Sequence, residues 1–314
     1  MCFKVVKLYA RSVNDGPKPI LLYYKRYFQD QTNCTIEAEA KNNTDRSLLY
    51  AHRKVQTADF FCTIRAIGQK GNENTMAETI KEEMTNYWSR RVEKFSDLRC
   101  REYASEKHEQ WLAELNRHLT QKRPLNILDI GTGTGFFALL LAEQGHHVTG
   151  IDLTPDMIRK AKQIAEKLNL SAEFSVMDGE KPDFPAHSFD VIVTRKLTWA
   201  LPNLSQTYKN WHDLLKPEGI LINFDADYCR EKEAAALPAH HAHQDVSADL
   251  MQEYEHMKGI LRPMQQPRPD WDVQLLSQAG FHGITVDTGV WQRVYKEMDE
   301  FYDPTSGFAI TATA

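Results

Sequence analysis

The chain has 314 residues, enough for one large domain or two small ones with a substantial buried core. Hydrophobic residues make up 42% and charged residues 26%, which is typical of globular proteins, and a formal net charge of −5 gives no electrostatic reason to expect a nucleic-acid partner. No apolar run approaches the roughly 20 residues of a membrane span, and the first thirty residues lack a signal-peptide pattern, so the sequence predicts a cytoplasmic protein.

The five cysteines are odd in number and scattered without close pairs. Neither a disulfide framework nor a thiolate metal site is therefore indicated, and reduced thiols are expected.

Residues 1–75 carry no recognisable motif. Residues 5–9 and 20–24 have the composition of short strands, and residues 42–44 and 71–75 that of loops. Two interpretations remain open. The segment is either an appended recognition or oligomerisation element, or a poorly ordered extension preceding a start at Met76.

From Met76 onward, apolar residues recur at three- and four-residue steps, which predicts an amphipathic helix containing Tyr87 and Trp88. A second helix is predicted for residues 105–119, with Trp111, Leu112 and Leu115 facing inward.

Residues 126–152 form the central motif of the chain. An apolar, β-branched run at residues 127–130 predicts a buried parallel strand, which leads into three closely spaced glycines and then an apolar helix. Glycine permits a tight turn and close approach of a ligand to the free amide groups at the helix start. A second strand at residues 148–151 ends at Asp152, whose carboxylate is placed to accept both hydroxyls of a ribose.

The glycine spacing distinguishes two cofactor classes. A dinucleotide fingerprint reads Gly-x-Gly-x-x-Gly, and its third glycine position is occupied here by Phe136. The third glycine, Gly135, falls one residue early, which disfavours an NAD-dependent oxidoreductase.

Residues 128–135, together with four later motifs, resemble class I S-adenosylmethionine-dependent methyltransferases. Residues 152–157 are similar to the ribose-binding acidic loop of that family, residues 177–179 to its adenine loop, residues 189–194 to its fourth strand, and residues 214–221 to the turn into its fifth strand. The resemblance covers roughly residues 80–314. One departure is Glu218, which stands where the family usually has glycine.

The resemblance implies an α/β fold with a Rossmann-like, doubly wound, seven-stranded sheet and a final antiparallel strand. Residues 76–123 are expected to form an N-terminal helical lid and residues 226–270 a cap insertion after the fifth strand, within a methyltransferase domain at residues 76–314. The last two strands are expected at residues 284–286 and 308–311, and a helix that begins at Pro155 with Thr154 as its N-cap is expected after Asp152.

The resemblance also implies a set of cofactor-binding residues. They are Asp129, Gly131, Thr132, Gly133, Thr134, Gly135, Phe136, Asp152, Leu153, Met157, Met177, Asp178, Gly179 and Thr194. Asp178 is placed to accept a hydrogen bond from the adenine amino group.

The loop after the fourth strand indicates the class of methyl acceptor. It lacks the Asn/Asp-Pro-Pro-aromatic tetrad of many enzymes that methylate amide or base nitrogens, and it is closer to small-molecule members such as the ubiquinone/menaquinone methyltransferases. Arg195, Thr198, Trp199 and Trp88 are the candidate substrate residues. Tyr87 and Trp88 either belong to the lid over the cofactor or simply pack the helix against the sheet. Arg195 either lines the substrate pocket or is a surface cation or a partner of a cap carboxylate.

The expected cap contains His240, His241, His243 and His256, with Asp245 and Asp249 nearby. These residue types ligate transition metals, but a solvated or substrate-facing cap is favoured over a metal site.

Methyl transfer from S-adenosylmethionine requires alignment and exclusion of water more than acid–base assistance. Tyr87, Asp227 and His240 are weak candidates for a catalytic group. An NAD-dependent oxidoreductase and a non-catalytic nucleotide-binding or scaffold protein remain the alternatives.

Overall fold

The computed structural model describes residues 4–12, 15–28, 34–41, 57–119, 123–230, 244 and 246–314. Contacts between Cα atoms divide the chain into two units, Met1–Met76 and Ala77–Ala314.

The N-terminal unit contains a three-stranded antiparallel sheet with the order β1-β2-β3. Its strands are β1 (Lys4–Ser12), β2 (Asp15–Phe28) and β3 (Cys34–Lys41). The two predicted strands are confirmed. The third was not predicted, because its alternating alanine and glutamate residues have low β propensity.

Helix α1 extends over Thr57–Tyr103. The prediction of a loop at residues 71–75 was wrong, since the helix continues through them. The interior glycines Gly68 and Gly71 each cost only about 1 kcal/mol relative to alanine, which is too little to end a helix of this length.

A seven-stranded mixed sheet, counted over the described residues, forms the second unit, with the order β6-β5-β4-β7-β8-β10-β9. Its strands are β4 (Asn126–Ile130), β5 (His147–Asp152), β6 (Glu173–Val176), β7 (Phe189–Arg195), β8 (Leu215–Ala226), β9 (His282–Asp287) and β10 (Gly307–Thr313). The β4, β5, β6, β7 and β8 strands pair in parallel, whereas β10 is antiparallel to both β8 and β9. The expected final antiparallel strand is thus confirmed.

Helices cover both faces of this sheet. They are α2 (Lys107–Asn116), α3 (Phe136–Glu143), α4 (Pro155–Leu168), α5 (Leu204–Leu214), α6 (Ala248–Leu261), α7 (Asp270–Ala279) and α8 (Val290–Val294), with short 3-10 helices at Thr198–Ala200 and Arg262–Met264. One core cluster joins the sheet to α2, α3, α4 and α8, and another joins it to α5 and α7. The fold is therefore doubly wound, as expected.

A third cluster of buried side chains lies above the carboxyl-terminal edge of the parallel strands. It joins α1, the 3-10 helix at Thr198–Ala200 and α6 through Ile80, Tyr87, Trp199 and Tyr254. Helix α6 follows β8 in the chain, so this cluster places α6 and α1 over the same edge.

Glu218 has a φ of 61°, in the left-handed region that favours glycine. This backbone conformation accounts for the glycine that the family usually has there, and it costs a residue with a side chain about 1–2 kcal/mol. In the described part of the chain, no helix combines the length and apolar character that a membrane crossing demands.

Candidate active site

A cavity opens at the carboxyl ends of β4, β5 and β7, beside the point where the strand order reverses between β4 and β7. Ligands bind at this position in open α/β sheets. The predicted cofactor residues that line the cavity are Asp129, Gly131, Thr132, Gly133, Thr134, Phe136, Asp152, Leu153, Met157, Asp178 and Gly179. Gly135, Met177 and Thr194 lie outside its wall.

The turn after β4 is held by backbone hydrogen bonds. The amide groups of Gly131 and Thr132 both donate to the carbonyl oxygen of Ile151, at 2.8 and 2.9 Å. Gly133 has a φ of 56°, which brings the backbone close to the cavity in a conformation that a side chain disfavours. The buried hydroxyl of Thr134 has no hydrogen-bond partner within the described residues.

The Asp152 carboxylate fixes the same turn from the end of β5. It accepts hydrogen bonds from the backbone amides of Gly133 at 3.0 Å and Thr154 at 2.8 Å. Thr154 stands at the N-cap position of α4, as expected, but its side chain makes no capping bond to the helix. Burial raises the pKa of Asp152, whereas these two amides favour its ionised form.

Asp129 lies in β4 below the turn and is buried. Its carboxylate accepts hydrogen bonds from the Thr132 hydroxyl at 2.6 Å and the Ala138 amide at 3.0 Å. Burial nevertheless outweighs both bonds and raises the pKa of Asp129 to about 7. Asp129 thus ties the glycine turn to the first turn of α3.

Asp129→Asn is expected to change the pH dependence of stability. The pKa of Asp129 rises from 3.8 to about 7 on folding, so between these values the folded protein keeps a proton that the unfolded chain has released. The retained proton stabilises the folded protein. This part of the free energy of unfolding is fully present below about pH 4 and is lost as the pH rises through about 7, at up to about 1.4 kcal/mol per pH unit. Urea unfolding between pH 4.5 and 7.5 should show the asparagine variant gaining stability relative to wild type as the pH rises.

The control for this prediction is Asp97→Asn, which removes an exposed carboxylate of α1. If the free energy of unfolding changed with pH in the same way in wild type and Asp129→Asn, the prediction would be wrong.

Asp178, in the loop after β6, meets a partner that the sequence did not reveal. Lys81 of α1 contacts the carboxylates of Asp178 at 2.7 Å and Glu180 at 2.5 Å. Burial lowers the pKa of the Lys81 ammonium, but these hydrogen bonds and charges outweigh it and leave the pKa raised. Lys81 therefore anchors α1 over this end of the cavity.

Arg195 also lines the cavity; its side chain is 9% exposed, and its carboxylate partner in the described part of the chain is Glu102 of α1. Its guanidinium donates to Glu102 of α1 at 2.8 and 3.1 Å and lies 4.5 Å from the ring centroid of Trp111. Arg99 also pairs with Glu102, and Trp111 donates to it at 3.1 Å. Burial alone would raise the pKa of Glu102, but Arg195 and Arg99 hold it below the usual value.

Lys196 follows Arg195 in the left-handed conformation, with a φ of 55°. Its ammonium lies 2.6 Å from a carboxylate oxygen of Asp303, to which the Tyr228 hydroxyl donates at 2.7 Å. The Lys196 and Tyr228 contacts outweigh the effect of burial and hold the pKa of Asp303 well below its usual value. All three side chains line the cavity.

Aromatic rings form another part of the wall. Trp199 lies 5.5 Å from Tyr228 and 5.4 Å from Tyr254, measured between ring centroids, and its indole donates to the Lys196 carbonyl oxygen at 3.0 Å. Trp88 of α1 also faces the cavity.

Thr198, in contrast, lies behind the wall rather than on it. Its hydroxyl belongs to a buried network with Asp225 and Arg268, and the Asp225 carboxylate also accepts the Trp199 amide at 2.9 Å. Asp225 and Arg268 are completely buried and pair at 3.2 Å. The network therefore supports the 3-10 helix that presents Trp199.

Of the three weak catalytic candidates, Tyr87 and Asp227 do not line the cavity, and His240 lies outside the described residues. Tyr87 is fully buried outside the cavity wall, where Arg91 donates to its hydroxyl at 3.1 Å. Asp227 also lies outside the wall and accepts the Arg268 amide at 3.1 Å.

His240, His241, His243 and Asp245 lie outside the described residues, whereas His256 and Asp249 are exposed on α6. In the part of the chain that the structure describes, no group of three histidine, cysteine, aspartate or glutamate side chains could hold a metal ion.

The sequence did not predict most of the charged residues that line the cavity. Lys81, Arg91 and Arg99 of α1 line the cavity, as do Asp303 and Tyr254. One signal was available, since Arg91, Phe95 and Arg99 follow one another at four-residue steps and so share a helix face near Trp88.

This fold and this cavity define an α/β protein with a nucleotide-type binding site at its topological switch point. The model of the methyltransferase-domain family matches residues 121–307, which is more than half of the chain. The chain belongs to this methyltransferase family.

Two relatives match shorter segments. Phosphoethanolamine N-methyltransferase 1 of Arabidopsis thaliana is 38% identical over 106 residues, which are 33% of this chain and 21% of the relative. Ubiquinone biosynthesis O-methyltransferase of Coxiella burnetii (strain RSA 493) is 34% identical over 97 residues, which are 31% of this chain and 42% of the relative. The matches thus span less than half of the length of these curated relatives.

A similar solved structure is that of Haemonchus contortus phosphoethanolamine N-methyltransferase 2 in complex with S-adenosyl-L-methionine. It has 18% sequence identity and a TM-score of 0.48, and it covers 65% of this chain and 52% of that chain.

Proposed function

We propose that the protein transfers a methyl group from S-adenosylmethionine to a small-molecule acceptor. Membership of the methyltransferase family supports the reaction. The single observation that carries the choice of cofactor is the convergence of the glycine turn, Asp152 and Asp178 on one cavity.

The residues present fit this cofactor. The Asp152 carboxylate is suited to accept the ribose hydroxyls, and Asp178 is suited to accept the adenine amino group while Lys81 holds its side chain. The glycine turn offers backbone close to the cavity, and the unpartnered hydroxyl of Thr134 is available at the same turn. Bound there, S-adenosylmethionine supplies a methyl group activated by a positively charged sulfur.

The contribution of this chain is binding, alignment and exclusion of water. Positioning of two reactants lowers a barrier by roughly 7–11 kcal/mol, whereas a general base contributes about 10²–10⁴-fold in rate. Helices α1 and α6 cover the cavity and pack on each other through Tyr87 and Tyr254, whose ring centroids are 5.8 Å apart. A covered cavity favours a small acceptor, and the relatives named above are a phosphoethanolamine N-methyltransferase and an O-methyltransferase of ubiquinone biosynthesis.

An NAD-dependent oxidoreductase would share the glycine turn and Asp152, and the glycine spacing is what disfavours it. Phe136, where the third glycine of the dinucleotide fingerprint would stand, is the first residue of α3 and lines the cavity. A cytoplasmic location and an acceptor other than nucleic acid stay predictions that rest on composition and charge.

Calorimetry with S-adenosylmethionine and NAD tests the cofactor, and release of S-adenosylhomocysteine in a screen of small-molecule acceptors tests the reaction. We expect binding of S-adenosylmethionine but not of NAD, followed by turnover with a small molecule. Binding of NAD alone would refute the proposal, and robust methylation of tRNA or of a protein would refute the acceptor class. Cofactor binding with no turnover on any acceptor would favour the non-catalytic alternative.

Trp199→Ala is expected to raise the KM for the acceptor or lower kcat, because the indole forms part of the aromatic wall. Affinity for S-adenosylhomocysteine should stay within about threefold, a change below ~0.7 kcal/mol. Trp199 is also 4% exposed, so the alanine variant should lose about 3–5 kcal/mol of stability.

Trp199→Phe serves as the control, since it keeps an aromatic ring in the packed cluster. Equal losses of cofactor and acceptor binding in Trp199→Ala would instead place Trp199 in the cofactor wall.

A further inference from the structure

We propose that the α1 wall of the cavity from Arg91 to Arg99 is an anion-binding subsite that holds a carboxylate or phosphate group of the methyl acceptor. The inference deepens the proposed function and rests on it for the identity of the ligand as an acceptor.

The first argument is charge. Arg91, Arg99, Arg195 and Lys196 line one region of the cavity. The carboxylates paired with these cations are Glu102, which is shared by Arg99 and Arg195, and Asp303, which holds Lys196. Among the described residues, four cations therefore face the two carboxylates that pair with them and Asp129, whose pKa is raised to about 7, so the region keeps a positive balance that an anionic ligand would neutralise.

The second argument is the hydrogen-bonding capacity that remains. Nε of Arg99 and Nη1 of Arg195 are buried without a partner among the described residues. A buried donor left unpaired destabilises the protein by about 1–3 kcal/mol. Ligand oxygens that accept from these two donors would remove this penalty.

Arg91 differs from the other three cations because it has no ion-pair partner among the described residues. Arg91 is 8% exposed as a whole residue, and its guanidinium lies 5.7 Å from the ring centroid of Tyr87 and 5.6 Å from that of Trp88 and donates to the Tyr87 hydroxyl. Within the described chain no carboxylate pairs with it. A planar guanidinium presents several N–H groups in a fork that matches carboxylate and phosphate oxygens.

The third argument is position along α1. Lys81 contacts Asp178 at one end of the cavity, and Arg99 is 18 positions further along the helix, which corresponds to about 27 Å. The Arg91–Arg99 segment therefore lies away from the Asp178 end, with Arg91 beside the rings of Tyr87 and Trp88 and with Phe95 facing Gly133 of the glycine turn.

The test is calorimetric titration of inorganic phosphate into protein saturated with S-adenosylhomocysteine, at low ionic strength to limit screening. We expect phosphate to bind wild type and to bind Arg91→Gln and Arg99→Gln at least tenfold more weakly. The affinity of S-adenosylhomocysteine should stay within threefold in both variants. Arg91→Gln leaves no buried carboxylate without its partner, so it should fold even if Arg99→Gln, which disturbs Glu102, does not.

Arg90→Gln is the matched control. Arg90 adjoins Arg91, but its side chain is about half exposed and pairs with Glu253 rather than lining the cavity. Phosphate affinity in this variant should equal that of wild type.

Several outcomes would overturn the inference. Phosphate that fails to bind the loaded protein, or that binds wild type and Arg91→Gln equally, would exclude the subsite. A loss of S-adenosylhomocysteine affinity in the arginine variants, with binding of 5′-methylthioadenosine unchanged, would assign the arginines to the amino-acid end of the cofactor. If wild type fails to bind S-adenosylhomocysteine, the proposed function itself is refuted, and with it the assignment of the anion to an acceptor.

Discussion

Replacing Asp152 with alanine is expected to weaken binding of S-adenosylhomocysteine by on the order of 100-fold or more. The proposed role of this carboxylate is to accept both ribose hydroxyls, and each hydrogen bond to a charged group contributes about 1.5–3 kcal/mol. A loss of about 3 kcal/mol corresponds to a factor of roughly 150 in the dissociation constant. The substitution also removes the acceptor for the Gly133 amide, so the glycine turn loses one of its supports. Isothermal titration calorimetry measures the affinity directly.

Asp156→Ala is the control for this prediction. Asp156 lies in the first turn of α4 only four positions further on, but its side chain is partly exposed, pairs with Arg159 and does not line the cavity. Its removal should leave the affinity unchanged. Equal affinities of wild type and Asp152→Ala would show that the ribose assignment is wrong.

Glu102→Gln is expected to destabilise the protein by about 3–5 kcal/mol. Glu102 is completely buried and carries the only carboxylate, among the described residues, that pairs with both Arg99 and Arg195. Removal of one partner from a buried ion pair leaves an uncompensated charge, which costs far more than the pair itself contributes. Here two guanidinium groups lose their shared partner at once. Urea unfolding followed by tryptophan fluorescence suits this measurement, because all six tryptophans lie within the Ala77–Ala314 unit.

The matched substitution is Glu109→Gln on α2, where the side chain is exposed. Surface substitutions of this kind change the free energy of unfolding by about 0.5 kcal/mol or less. A Glu102→Gln variant that unfolds at the same urea concentration as Glu109→Gln would mean that the buried charge cluster adds nothing to stability.

The central motif shows how much of the fold the sequence made predictable. The strand at residues 127–130 and the helix that begins at Pro155 were both located from local signals, and they agree with β4 and α4. A β-branched apolar run, closely spaced glycines and a proline at the first helical position act within a few residues of one another. Such signals need no knowledge of what packs against them.

The site was only partly predictable for the same reason. Asp152 and Gly133 were found because their spacing within one motif is itself informative. The charged wall was not found, since its contacts join residues far apart in the chain. Lys81 and Asp178 are separated by 97 positions, Glu102 and Arg195 by 93, and Lys196 and Asp303 by 107.

The sequence by itself therefore determined the order of the strands along the chain, the nucleotide-type turn and the inward apolar face of α1. It did not determine what the polar residues of α1 would do, because periodicity identifies a buried face only from its apolar members. Only the tertiary structure decided that Lys81, Arg99 and Glu102 share that face and lie at the cavity. The cost of burying their charges is offset by partners on α1 itself, on β7 and in the loop after β6, and these partners come close only when the sheet has formed and α1 lies across its edge.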